Sequence, residues 1–109
     1  MRRNKPCEGL KLPIFCRIHG VEPKQVLAAC DSDILGKTFE EGELFFEVKE
    51  SFYGKKEVSE KKLGELLDEF GSINLVGEKT VGIALRKGLI SESGIIRIKG
   101  IPHAQIYRI

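Results

Sequence analysis

The chain has 109 residues, 41% hydrophobic and 31% charged, with a formal net charge of +2. That length suits one domain with a core of its own, and the balance excludes a disordered or disulfide-stapled chain. Its longest apolar runs reach about six residues against the ~20 that cross a bilayer, which excludes a spanning helix.

Residues 1–13 read as an irregular lead-in, broken by Pro6, Gly9 and Pro13. The lead-in is basic but no apolar stretch follows it, so no secretory signal is read and the expected compartment is the cytoplasm. Ile14 to Ile18 reads as a strand with Ile14, Cys16 and Ile18 on one face and Phe15, Arg17 and His19 on the other. Gln25 to Cys30 is apolar on both faces, the pattern of a central covered strand. Ser32 to Gly36 reads as one helical turn, capped by Asp31 or Ser32 and stopped by Gly36. Leu44 to Lys49 reads as a strand with Leu44, Phe46 and Val48 inward, and Ser51 to Gly54 as a loop. From about Glu60 to Phe70, Leu63, Leu66, Leu67 and Phe70 make one apolar stripe of a helix capped by Ser59. A second helix begins near Gly77 or Glu78 and ends at Lys87. Ile95 to Lys99 reads as a strand, Gly100 to His103 as a break, and Ala104 to Ile109 as a short last strand.

Charge is uneven along the chain. Residues 1–30 carry six Lys/Arg against two Asp/Glu, residues 31–70 six against twelve, and residues 71–109 six against two. Two basic ends flanking an acidic middle fit either an anionic partner or internal charge balance.

Several segments carry potential chemistry. Gly36-Lys37-Thr38 follows an apolar strand, as in a phosphate loop, but that loop needs glycine where Asp31 stands. Nucleotide hydrolysis is not expected. Gly77 before a helix offers free amides to an anion with Lys79 nearby, although Glu78 in the first turn can satisfy that end itself. His103, after a Gly-Ile-Pro turn, is placed for acid–base work or for a structural hydrogen bond. Phe52 and Tyr53 precede Lys55 and Lys56, a pairing that can stack bases and hold phosphates, or simply anchor a loop. A zinc site from Cys7, Cys16, His19 and Cys30 is not expected, because Cys16 and His19 fall on opposite faces of one strand. The three thiols read as small hydrophobes.

Taken together, Ala29-Cys30-Asp31, Leu35-Gly36-Lys37, Phe52-Tyr53-Gly54, Asn74-Leu75-Val76-Gly77-Glu78 and Gly100-Ile101-Pro102-His103-Ala104-Gln105 resemble an archaeal family known as domain of unknown function 424. The resemblance implies an archaeal cytoplasmic protein of about this size and a partner context near the translation machinery. It implies no activity, cofactor or catalytic residue.

The expected fold is a single α+β domain, a mixed sheet of about four or five strands packed by two helices. The leading functional expectation is a non-catalytic module that binds RNA or the translation machinery. One alternative is a small enzyme or ligand-binding protein whose site gathers Asp31, Lys37, Asn74, Glu78 and His103. Another is an interaction subunit or homodimer. The binding candidates are Asp31, Lys37, Phe52, Tyr53, Asn74, Glu78, His103 and Gln105. No metal ligand, cofactor or membrane partner is assigned.

Overall fold

In the computed structural model, which describes residues 12–108, the apolar run of β2 (Val26–Asp31) sits in the middle of a six-stranded sheet. Both faces of β2 are covered, as its lack of alternation requires. Antiparallel to it runs β1 (Ile14–His19); parallel to it runs β6 (Ser72–Val76). Outside β1 lies β5 (Lys56–Val58), and outside β6 lie β8 (Ile101–Tyr107) and then β7 (Ile96–Ile98), all antiparallel to their neighbours. The order is β5-β1-β2-β6-β8-β7, so the sheet is mixed, as expected, with more strands than expected.

One face of the sheet is closed by α2 (Glu60–Leu67) and α3 (Glu78–Arg86). Leu63, Leu67, Val81 and Ala84 pack against Ile14, Leu27, Ala29, Ile73, Leu75 and Ile106 to form the main core. Ser59 caps α2 by accepting from the Lys62 amide at 3.0 Å. The helix is shorter than its apolar stripe; Asp68 already closes it, and Phe70 packs from the following turn. The Arg108 guanidinium donates to the Leu67 and Phe70 carbonyls left open there.

The other face is covered only in part. A separate hairpin of β3 (Thr38–Glu41) and β4 (Leu44–Glu47), with the single-turn helix α1 (Glu50–Tyr53), packs over Ala28, Cys30 and Val76. Phe39 and Phe46 face each other in the hairpin register and turn toward this second core. Beside the Gly42 turn, Leu44 is 47% exposed, so the inward pattern expected for Leu44, Phe46 and Val48 holds for the last two alone. The strand also stops at Glu47, because the Lys37 amide turns to the Ile34 carbonyl instead of returning the bond that the Val48 amide makes to Lys37.

Other expectations are corrected too. Ser51 to Tyr53 is helical rather than loop, since the Tyr53 and Gly54 amides reach back to the Lys49 and Glu50 carbonyls. Pro102 does not break β8, because its carbonyl accepts the Gly77 amide while its ring is buried. Strands β3, β5 and β6, of three to five residues each, are too short to announce themselves by period. The lead-in lies outside the described residues, apart from Leu12 and Pro13. Among the described residues no helix is long and apolar enough to cross a membrane.

Candidate functional site

The strand registers arrange the partly covered face in three rows. The first runs Phe15, Cys30, Val76, His103, Ile96; the second Arg17, Ala28, Asn74, Gln105; the third His19, Val26, Ser72, Tyr107. The hairpin covers the first row, where Phe46 lies 4.6 Å from the His103 ring. Helix α1 reaches the second. The third is covered by Phe52 at its His19 end and open toward Tyr107, which is 79% exposed.

A polar network joins the rows. Tyr53, only 2% exposed, donates its hydroxyl to Asn74 Oδ1 at 2.6 Å. His103 Nε2 lies 3.3 Å from the same oxygen. Burial raises the Tyr53 hydroxyl far above its usual value, with a smaller push from Cys30. Burial lowers the His103 pKa, which holds the ring neutral near pH 7. At the sheet edge His19 Nε2 donates to the Phe52 carbonyl at 2.6 Å, and the two rings stack at 4.8 Å. Arg17 Nη1 donates to the Ser51 carbonyl at 3.3 Å.

The sequence-derived candidates therefore divide. Asn74 and Gln105 stand in the second row and His103 in the first, and Tyr53 reaches Asn74 from α1, where Phe52 is its neighbour. Tyr53 is no surface stacking group, since it is turned into the sheet. Asp31, Lys37 and Glu78 go elsewhere. Asp31 faces the helix side and is 5% exposed. Its Oδ2 accepts the Lys79 amide at 2.9 Å and its Oδ1 the Thr80 amide at 3.0 Å. The start of α3 is thus filled by the protein's own carboxylate, which removes it as an anion site and leaves Glu78 exposed in the first turn. Nor does Asp31 cap the turn at Ser32–Ile34, whose first amide goes to the Pro13 carbonyl. Burial pushes the Asp31 carboxyl above its usual range, while the two amides and Lys79 pull it back. The Lys37 backbone anchors the hairpin base through Ile34 and Val48, and its side chain is exposed. Among the described residues no hydrogen bond or ion pair ties these three to Asn74 or His103.

Beside Arg17 at the β1 edge lies a cleft of about 530 Å³. Arg17, Lys55, Lys56 and Lys62 line it together with Ile18 and Leu66. Strand β5 covers β1 only opposite Ile14 to Cys16, which leaves this stretch open. Lys55 pairs loosely with Glu50 at 3.7 Å. Sequence reasoning places Arg17 and His19 on one strand face, weighs His19 only as a zinc ligand, and singles out none of Arg17, Ser72 and Tyr107. The alternation of Gln105 and Tyr107 in the expected last strand, Ala104 to Ile109, is the signal that points to Tyr107.

Cys30 is pushed up to about 12, chiefly by burial, and burial also raises Cys16, so both thiols stay protonated. Among the described residues no group of three His, Cys, Asp or Glu side chains is placed to hold a metal ion.

No curated protein matches the chain. A crystal structure of an uncharacterized conserved protein from Methanopyrus kandleri is 30% identical, with a TM-score of 0.68. The match covers 88% of this chain and 94% of that one, and it carries the same α+β fold. The family model described as protein of unknown function (DUF424) matches residues 19–109. With nearly the whole sheet and both long helices inside that match, the chain belongs to the DUF424 family.

Proposed function

We propose that the protein is a non-catalytic module that binds single-stranded RNA across the open rows of its sheet. The observation that carries this reading is the cationic cleft of Arg17, Lys55, Lys56 and Lys62 at the β1 edge, which Arg17 joins to the second row of the open sheet face. Lysine and arginine attract a phosphate backbone, and an exposed ring such as Tyr107 gives a base a surface to stack on. Open sheet faces carrying aromatics are one way single-stranded RNA is held. Glu22, in the loop between β1 and β2, opposes this field, and Lys24 in the same loop balances it.

The test is fluorescence anisotropy of labelled single-stranded RNA against salt. Affinity should fall with a log–log slope of about −0.7 for each phosphate neutralised. The double variant Lys56→Gln, Lys62→Gln should flatten that slope by roughly one to two phosphates' worth. Absence of binding at low salt, or binding indifferent to salt, would remove the proposal.

A second reading, self-association, draws on Leu44, Phe45 and Ile96, exposed apolar side chains on the adjoining hairpin and β7. Sedimentation showing a monomer at high concentration would dismiss it.

A further inference from the structure

The open rows contain a second, smaller cleft of about 260 Å³, lined by Val26, Ser72, Asn74, Gln105 and Tyr107. Its wall has a defined hydrogen-bond polarity, and Tyr53 sets it. The Tyr53 hydroxyl is buried and needs an acceptor, and Asn74 Oδ1 at 2.6 Å supplies one. That assignment orients the Asn74 amide. Neutral His103 then meets the same oxygen at 3.3 Å, so its Nε2 carries the proton and donates. An amide oxygen accepts two hydrogen bonds, and both are now taken. The Asn74 amide nitrogen has no hydrogen-bond partner among the described residues, which leaves it as a donor at the cleft.

We infer that this cleft is a pocket for a carbonyl-bearing nucleobase, in which Tyr107 stacks on the ring and the Asn74 amide donates to a ring carbonyl. The inference rests on the RNA-binding reading and names what that surface selects. Val26 gives the ring an apolar floor. Gln105 and Ser72 can donate or accept, so they adapt to the rest of the edge, whereas Asn74 cannot reverse. Uracil and cytosine both carry the O2 carbonyl beside N3. Guanine carries O6, whereas adenine has no carbonyl and offers the Asn74 donor only a ring nitrogen such as N1, set beside its amino group.

The test compares short oligo-U, oligo-C and oligo-A by anisotropy, with UMP and AMP titrated in parallel by NMR. Oligo-U and oligo-C should bind about tenfold tighter than oligo-A. Asn74→Asp is the informative variant. Its carboxylate still accepts from Tyr53 and His103, so the melting temperature should stay close to wild type, but it offers the cleft no donor. The U-to-A affinity ratio should fall to about one. The ratio is read because an added negative charge weakens all oligonucleotides alike. Equal affinity for oligo-U and oligo-A, or a preference that survives Asn74→Asp, overturns the pocket. If UMP shifts the Asn74 amide and Tyr107 signals while no oligonucleotide binds, the pocket stands and the RNA reading fails.

Discussion

The junction of Asp31 with Gly77 allows a quantitative test, because one residue's conformation makes room for the other. Gly77 has φ +115° and ψ 156°, a region that is essentially glycine's alone. A Cβ there would lie 2.8 Å from Asp31 Cβ and closer still to the carboxyl. Asp31→Ala removes two bonds to the Lys79 and Thr80 amides and leaves the buried Thr80 amide unpaired. The expected cost is about 2–3 kcal/mol. Gly77→Ala adds backbone strain of about 1–3 kcal/mol and also expels the carboxylate, for a total of about 4–5 kcal/mol. In the double variant the carboxylate is already gone, so only the backbone strain and the 2.8 Å approach of the two Cβ atoms are added to the Asp31→Ala cost. The double variant should therefore sit near 4 kcal/mol, about 2–3 kcal/mol less than the single costs combined. Urea denaturation followed by circular dichroism measures all four proteins. Additive costs, or a Gly77→Ala cost below about 1 kcal/mol, would refute the account of Asp31 as the cap of α3.

Other expected outcomes follow from the same contacts. Tyr53→Phe removes one hydrogen bond from Asn74 and should cost about 0.5–1.5 kcal/mol in denaturant; a neutral result would deny the network its role. Burial lowers the folded pKa of His103, so the unfolded chain binds the extra proton below about pH 6.5. Its contribution is complete above pH 6.5 and is lost as pH falls from there through the lowered value. Chemical denaturation at pH 5 and pH 7.5 should show a smaller difference for His103→Gln than for wild type, and an unchanged difference would contradict the assignment. Arg108→Ala uncovers the Leu67 and Phe70 carbonyls and should lower stability by about 1–3 kcal/mol, with faster amide exchange at the end of α2.

What the chain shows locally and what it conceals differ in kind. The apolar run of β2, the amphipathic stripe of α2 with its Ser59 cap, and the span of α3 were all legible, because periodicity and caps act within a few residues. The α+β class followed from their order. The hairpin was misread because Phe45, 61% exposed, and Leu44 interrupt its alternation at the tip of a ribbon that stands apart from the main sheet. The site was legible as separate pieces only. Asn74 looked like the approach to a helix and proved to be mid-strand, since β6 is five residues long and is held by β2 and β8 on either side.

By itself, the sequence determined the class, the central strand and the two long helices. Tertiary structure alone decided where Asp31 goes, 48 residues along the chain to the start of α3, and that Tyr53 and His103 meet at Asn74, 21 and 29 residues away. Partners that distant have no local period to reveal them. They are chosen when strand order and register bring side chains to one face, and there the need of buried polar groups for partners fixes which atoms remain free.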